Sequence, residues 1–137
     1  TGMSNLNNIA KAVSIFKKKK CPFVLLHCVS TYPCPEDKLN LNVITSLKKK
    51  FKCEVGYSGH ESSLSPSIFA WLLGATVIER HITLDRSMWG TDQAASLSFD
   101  GMQYLSQVLS KTHVFGDGLK KFTSAEKKIS KKFRYWE

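Results

Sequence analysis

Long hydrophobic runs are missing from this sequence: no stretch approaches the roughly 20 apolar residues that a membrane-spanning helix needs. The opening residues TGMSNLNN also lack the basic-then-apolar order of a secretory signal peptide. We therefore expect a cytoplasmic protein with no membrane partner. CxxC pairs are absent too, so the four cysteines, Cys21, Cys28, Cys34 and Cys53, are predicted to be free thiols.

Acidic residues are scarce: 11 Asp and Glu stand against 20 Lys and Arg, which gives a formal net charge of +9. The lysines lie in blocks at 17–20, at 48–50 and between 120 and 134. A basic surface can bind a polyanion, so a nucleic-acid-binding module is one alternative. The first two blocks, however, end helix-like segments, where cations complement the helix dipole and stay solvated. Nucleic acid is not the partner we expect, because few aromatic residues accompany the tail lysines: Phe122, Phe133, Tyr135 and Trp136.

The order of helical and extended patterns predicts an α/β fold. With 137 residues, 42% of them apolar, the chain can bury one core. Helical periodicity covers the ranges 4–16, 41–51, 65–74 and 99–113. Ser4 is the candidate N-cap of the first helix, and Pro66 and Gly74 bound the third. Three apolar, strand-like runs lie between these helices: CPFVLLHCVS, CEVGYSG and TVIERHIT. Strands that are separated by single helices must be parallel.

Two of the predicted strands end on a histidine, His60 after GYSG and His81 after VIER. Because side chains alternate along a strand, Ser58 and His60 point the same way, and so do Glu79 and His81. Neighbouring parallel strands lie about 4.8 Å apart, so both imidazoles can reach one ion, with Glu79 as ligand, orienting group or base. The spacing matches no compact metal motif, and two histidines hydrogen-bonded in a polar core remain the other interpretation.

Polar residues continue beyond the third strand in the loop LDRSMWGTDQAAS. Asp85, Asp92 and Gln93 in this loop suit the recognition of hydroxyl groups, so a sugar would fit the lining. Burying many polar groups costs several kcal/mol unless each finds a partner, which favours a functional site over a packed core. His27 faces away from Ser30 by the same alternation and is predicted to be structural.

Four stretches, in their order and spacing, resemble the sialic acid synthase family over roughly residues 1–110: TGMSNLNNIAKAV, LLHCVSTYPCPEDKLNL, GYSGHE and LGATVIERHITLDRSMWGTDQAASL. The resemblance implies a transferase that condenses phosphoenolpyruvate with N-acetylmannosamine or a related N-acetylated amino sugar and releases phosphate. Synthases of legionaminic- or pseudaminic-type acids are the alternative within the same chemistry. The implied fold is a TIM (β/α)8 barrel, of which residues 1–115 would supply about the last three strands with their helices. Residues 116–137 would form a basic linker or tail.

The resemblance also assigns a metal centre. His60 and His81 match the two histidines that hold a divalent ion, usually Mn²⁺ or Mg²⁺. Glu79 matches an acidic residue close to the metal and the reacting water, for which we expect a catalytic role. The ion would act as a Lewis acid on the aldehyde oxygen of the sugar while the enol-ether carbon of phosphoenolpyruvate attacks the carbonyl carbon.

The remaining matched positions concern the substrates. Ser30 and Ser58 match positions that bind phosphoenolpyruvate, although many relatives have asparagine at the place of Ser30. Tyr32 and Asp92 match positions that face the acceptor sugar. Three strands cannot close a barrel, which needs about eight, so we expect a fragment that is inactive alone and whose partner is the N-terminal half of the barrel. The resemblance implies that the complete enzyme is a homodimer.

Overall fold

The three predicted strands form one parallel sheet in the computed structural model, which describes residues 1–134. Strands β1 (Leu25–Cys28), β2 (Val55–Gly59) and β3 (Ile78–Arg80) lie in the order β1-β2-β3. The helices are α1 (Leu6–Lys18), α2 (Val43–Phe51), α3 (Ser65–Leu72), α4 (Phe99–Leu109) and α5 (Ser124–Phe133). The α/β class and the parallel pairing predicted from the sequence are therefore confirmed. Tyr135 and Trp136, which the sequence analysis named as candidate stacking residues, lie outside the described residues.

Two predicted helix ends are wrong. Asn5, rather than Ser4, is the N-cap of α1, since its side chain accepts hydrogen bonds from the backbone N–H groups of Asn7 and Asn8. Helix α4 ends at Leu109 instead of continuing to His113, which lies in a separate 3₁₀ helix. Helix ends depend on which backbone groups find local partners, and periodicity alone does not specify this.

The predicted linker, 116–137, contains helix α5. Its N-terminus carries a capping box, because the Thr123 hydroxyl accepts from the backbone N–H of Glu126 at 3.1 Å and the Glu126 carboxylate accepts from the N–H of Thr123 at 2.8 Å. The sequence analysis did not predict this helix, although the T-x-x-E spacing was an available signal. The division of the chain at residue 115 remains a prediction.

Alternation along the strands separates a helix-facing side of the sheet from a second, more polar side. Leu25 of β1 and Val55 and Tyr57 of β2 belong to the core that α1, α2 and α3 cover. His27 lies on the same side, buried, with Nε2 2.7 Å from the carbonyl oxygen of Leu39. Burial lowers the pKa of His27. The prediction that His27 is structural agrees with this placement.

All four cysteines are free thiols, as predicted. Within residues 1–134, no helix combines the length and the apolar character needed to cross a membrane.

Gly56 is required by the close approach of β2 to its neighbours, and we expect Gly56→Ala to lower the free energy of unfolding by about 1–3 kcal/mol. A Cβ atom there would lie 2.4 Å from the carbonyl oxygen of Val77 and 2.6 Å from Cδ2 of Leu26. The Val77 carbonyl also accepts the backbone N–H of Tyr57 at 2.8 Å, so it cannot yield without disturbing the sheet. Chemical denaturation followed by circular dichroism measures the loss.

Gly101→Ala is the matched control for Gly56→Ala. The same methyl group in α4 would have Ser98 Oγ as its nearest neighbour, at 3.3 Å, and alanine favours a helix over glycine. We expect a loss well below that of Gly56→Ala, because the atom that must yield is the rotatable hydroxyl of Ser98, which accepts the Gly101 N–H, and not a carbonyl of the sheet. Equal losses for the two variants would contradict the argument from the close approach of the strands.

Candidate catalytic site at the strand ends

The two strand-end histidines lie side by side. β2 ends at Gly59 and β3 at Arg80, so His60 and His81 are the first residues beyond their strands. Their ring centroids are 5.2 Å apart and the ring planes are nearly perpendicular, at 81°. His60 is buried and His81 is partly exposed. The structure therefore brings together the two side chains that the sequence analysis placed at one edge of the sheet.

Each imidazole has one ring nitrogen beside an oxygen acceptor. His60 Nδ1 lies 3.0 Å from the carbonyl oxygen of Val29, and His81 Nδ1 lies 3.6 Å from Oδ2 of Asp92. With the proton on Nδ1, Nε2 keeps a free lone pair, which is the arrangement found in metal-binding histidines. A ring centre lies about 3 Å from an ion bound through Nε2. The 5.2 Å spacing of the rings therefore fits one shared divalent cation.

The two imidazoles would leave most of the coordination shell open. Among residues 1–134, no group of three or more His, Cys, Asp or Glu side chains is placed to hold a metal ion. Water or substrate would have to complete the shell, as in catalytic rather than structural metal sites. Imidazole suits zinc or iron at least as well as manganese, so these donors do not select the ion.

Ser58 and Glu79 form a polar pair one row below the histidines. They are register partners on β2 and β3, and Ser58 Oγ donates a hydrogen bond of 2.8 Å to Oε1 of Glu79. Ser58 is buried, whereas Glu79 is exposed. The pair supplies a fixed hydroxyl and an accessible carboxylate beside the two imidazoles.

Tyr32 and Asp92 border the histidines from two different loops. The Tyr32 ring lies 4.2 Å from the His60 ring and 5.7 Å from the His81 ring, centroid to centroid. Partial desolvation, assisted by the charges of Cys28, Asp92 and Glu79, raises the pKa of Tyr32, so the phenol stays protonated and can donate a hydrogen bond. Asp92 contributes the carboxylate next to His81.

Cys28 belongs to this cluster, although the sequence analysis did not single it out. Its Sγ lies 3.5 Å from Ser30 Oγ and 3.8 Å from His60 Nδ1. A Cβ atom on Gly2 would come within 2.2 Å of Ser30 Oγ and 3.0 Å of Cys28 Sγ, so the N-terminal loop packs directly on these side chains. Alternation from Ser30 was the available signal for Cys28.

Arg80 is a polar residue of a strand end that does not line the site. It lies between Glu79 and His81 in sequence and therefore points to the opposite, helix-facing side. Its guanidinium pairs with the Glu61 carboxylate at 2.8 Å, and both side chains are 0% exposed. Burial lowers the pKa of Arg80 while the Glu61 charge opposes the shift. Burial also raises the pKa of Tyr57, whose hydroxyl donates to Glu61 Oε2 at 2.7 Å.

The loop after β3 uses several of its polar side chains on itself. Asp85 Oδ1 accepts hydrogen bonds from the backbone N–H and the hydroxyl of Ser87, both at 2.8 Å. These bonds lower the pKa of Asp85. The Arg86 guanidinium donates to the carbonyl oxygen of Ala94. Asp85, predicted as a candidate for hydroxyl recognition, is thus engaged in loop structure.

Comparison with known proteins decides the family. A model of the NeuB family matches residues 1–120. This chain belongs to the NeuB family. The resemblance to sialic acid synthases that the sequence motifs suggested is therefore confirmed, and the relatives of this NeuB-family chain include synthases of legionaminic, pseudaminic and N-acetylneuraminic-type acids.

Individual relatives support the assignment. The chain is 42% identical to N,N'-diacetyllegionaminic acid synthase of Campylobacter jejuni, over 93% of its own length and 40% of the relative. It is 41% identical to human N-acetylneuraminate-9-phosphate synthase, over 71% of its own length and 27% of the relative. The chain therefore spans well under half the length of these curated relatives.

A solved structure gives the same result for the fold. N-acetylneuraminic acid synthetase from Leptospira borgpetersenii, crystallised with citrate, superposes with a TM-score of 0.80 and 36% identity. The match covers 98% of this NeuB-family chain and 47% of the other. The prediction that the three strands and their helices are part of a β/α barrel is confirmed.

Proposed function

We propose that this NeuB-family chain supplies part of the active site of a synthase that condenses phosphoenolpyruvate with N-acetylmannosamine or a related N-acetylated amino sugar and releases phosphate. One observation carries the proposal: two imidazoles, 5.2 Å apart, lie at the ends of adjacent parallel strands. In parallel α/β folds, ligands bind at this end of the sheet. The names of the relatives support the product class, and a legionaminic-type product is an alternative because of the 42% identity to the Campylobacter enzyme.

In this proposal, His60 and His81 hold a divalent ion, Mn²⁺ or Mg²⁺. When bound, the ion supplies Lewis-acid polarisation of the acceptor carbonyl. Glu79 would accept the proton of the water that attacks the phosphate-bearing carbon, and the hydrogen bond from Ser58 orients its carboxylate for this role.

The substrate contacts are also part of the proposal. Ser30 and Ser58 line the phosphoenolpyruvate site: Ser30 donates its hydroxyl hydrogen bond to the substrate, whereas the single proton of Ser58 goes to Glu79 and holds that carboxylate beside the substrate. Tyr32 and Asp92 face the acceptor sugar, with the protonated phenol as a donor and the carboxylate as an acceptor. These side chains surround the histidine pair on the sheet side opposite the core, which is the geometry that supports the assignment.

Phosphoenolpyruvate is strongly anionic, but the side chains gathered at this site are imidazole, hydroxyl, phenol, thiol and carboxylate. The cationic donors that an anionic substrate needs would come from further barrel strands. We therefore propose that the isolated chain is inactive and works as part of a complete, homodimeric enzyme in the cytoplasm.

A segment exchange tests the proposed function. Residues 1–120 of this chain replace the matching segment of the Campylobacter jejuni relative, and phosphate release is measured with phosphoenolpyruvate and a panel of N-acetylated amino sugars. We expect sugar-dependent phosphate release from the chimera with Mn²⁺ or Mg²⁺. The isolated chain under the same conditions is the matched negative control.

The two arms of this assay have separate consequences. A folded chimera that releases no phosphate with any sugar would overturn the proposed function. Sugar-dependent phosphate release by the isolated chain would instead overturn the proposal that further strands are required. The preferred sugar in the panel distinguishes a neuraminic-type from a legionaminic-type product.

A further inference from the structure

We propose that Arg80 is a positioning residue that sets the spacing of His60 and His81 from the back of the sheet. Arg80 immediately precedes His81, and its guanidinium reaches the segment that immediately follows His60. Only the role of the two histidines as ion ligands rests on the proposed function. The mechanical link between the two strand ends stands on the contacts alone.

The guanidinium binds the backbone of the loop after β2 at two points. Nη2 donates to the carbonyl oxygen of Glu61, and Nη1 donates to the carbonyl oxygen of Ser63 at 2.9 Å. Nη1 also lies 2.8 Å from Glu61 Oε1 and 2.9 Å from Ser67 Oγ at the start of α3. One planar group on β3 thereby fixes the path of the chain directly after His60.

The neighbouring groups hold the guanidinium in this orientation. Tyr57 donates to the second carboxylate oxygen of Glu61, so both oxygens of Glu61 are occupied. Arg80 Nε is buried and has no hydrogen-bond partner among residues 1–134. A buried donor without a partner is unfavourable. The orientation of this guanidinium therefore leaves Nε unpaired, while Nη1 and Nη2 donate to the carbonyl oxygens of the loop.

Arginine is required for this role because of its shape. Lysine keeps the positive charge but carries a single nitrogen, which cannot reach two carbonyl oxygens and a carboxylate in the fixed geometry of a guanidinium. We therefore expect Arg80→Lys to resemble Arg80→Met at the histidine site. A role limited to neutralising Glu61 would instead allow lysine to substitute.

The test measures the histidine site and the stability separately, in the isolated chain. Its four histidines allow assignment of the imidazole resonances by single substitutions. In the wild type, we expect nuclear Overhauser contacts from the His60 ring to the rings of Tyr32 and His81, whose centroids lie 4.2 and 5.2 Å away. In Arg80→Lys and Arg80→Met, these contacts should be lost and the Kd for Co²⁺, the probe ion, should rise about 10- to 100-fold.

Two further variants protect the test against simple unfolding. The double variant Glu61→Leu, Arg80→Met removes both charges together, and it should fold but still lose the ring contacts. Leu105→Ala is the matched control, because Leu105 is buried and lines the same cavity beneath α4 as Arg80. It should lower the thermal midpoint but keep the wild-type ring contacts and Co²⁺ affinity.

The outcomes separate the two proposals. The positioning role would be overturned if the Arg80 variants kept the wild-type ring contacts and Co²⁺ affinity and only their thermal midpoint fell. It would also be overturned if Leu105→Ala changed the ring contacts and the Co²⁺ affinity as much as the Arg80 variants do. If Co²⁺ binds the wild type no more tightly than a His60→Ala, His81→Ala variant, the proposed ion site fails. The ring contacts then still decide the role of Arg80.

Discussion

Glu61→Ala is expected to lower the free energy of unfolding by about 3–5 kcal/mol, the effect of removing one partner of a buried ion pair. The Glu61 and Arg80 side chains are both 0% exposed and lie 2.8 Å apart. Without the carboxylate, the Arg80 charge remains in a site that water does not reach, and the Tyr57 hydroxyl loses its acceptor. Chemical denaturation at constant pH measures the loss.

An exposed ion pair provides the control for Glu61→Ala. Asp37 and Lys38 are 2.9 Å apart, similar to the buried pair, but about 70% of each side chain is exposed, 68% and 70% respectively. Asp37→Ala should change stability little, because solvent screens the pair. A loss in Glu61→Ala no greater than in Asp37→Ala would show that the buried charge is not isolated from water.

The double variant Glu61→Leu, Arg80→Met should recover much of the stability lost in Glu61→Ala. Replacing a buried ion pair by apolar residues of similar volume is often close to neutral. This recovery would show that the single variant is destabilised mainly by the uncompensated charge. It would also provide the folded protein in which the positioning role of Arg80 can be examined without the ion pair.

His60→Ala and His81→Ala are each expected to reduce kcat/KM of the chimera by at least about 100-fold. Lewis-acid polarisation supplies several kcal/mol to the transition state, and each 1.36 kcal/mol corresponds to about a tenfold change in rate. Either substitution leaves one imidazole of a pair whose rings lie 5.2 Å apart. Phosphate release before and after chelation, and after addition of Mn²⁺, measures the effect.

His113→Ala is the matched control for the two histidine variants. His113 is exposed in the 3₁₀ helix Thr112–Phe115. We expect it to keep wild-type activity and to regain it when Mn²⁺ is added after chelation. If the His60→Ala chimera kept full activity, and kept it after chelation, the ion would have no place in the proposed mechanism.

The fold was predictable because its signals are local. The runs CPFVLLHCVS, CEVGYSG and TVIERHIT each contain one of the three strands, at Leu25–Cys28, Val55–Gly59 and Ile78–Arg80. Helix α5 was missed because its lysines were interpreted as part of a basic linker or tail, although the capping box at its N-terminus was a local signal for a helix. The ends of α1 and α4 were misplaced because they depend on particular hydrogen bonds.

The site was only partly predictable, for a different physical reason. Alternation with period two showed that His60 points the same way as Ser58 and that His81 points the same way as Glu79, but it could not give the distance between side chains on the two strands. The contact of Tyr32 with the His60 ring depends on how a loop folds back over the sheet. Contacts between segments distant in the sequence have no period that a pattern can detect.

The sequence by itself determined the α/β class, the parallel strands, the family and the two histidines at the strand ends, because each follows from local periodicity or from contiguous motifs. Only the tertiary structure decided that the histidine rings lie 5.2 Å apart and that Arg80, which alternation already places on the other side of the sheet, pairs with Glu61. Glu61 lies in the turn after β2, and its pairing with Arg80 on β3 cannot be read from the period of either strand. Its burial results from the packing of α3 and the sheet around a charge pair, which depends on three-dimensional shape.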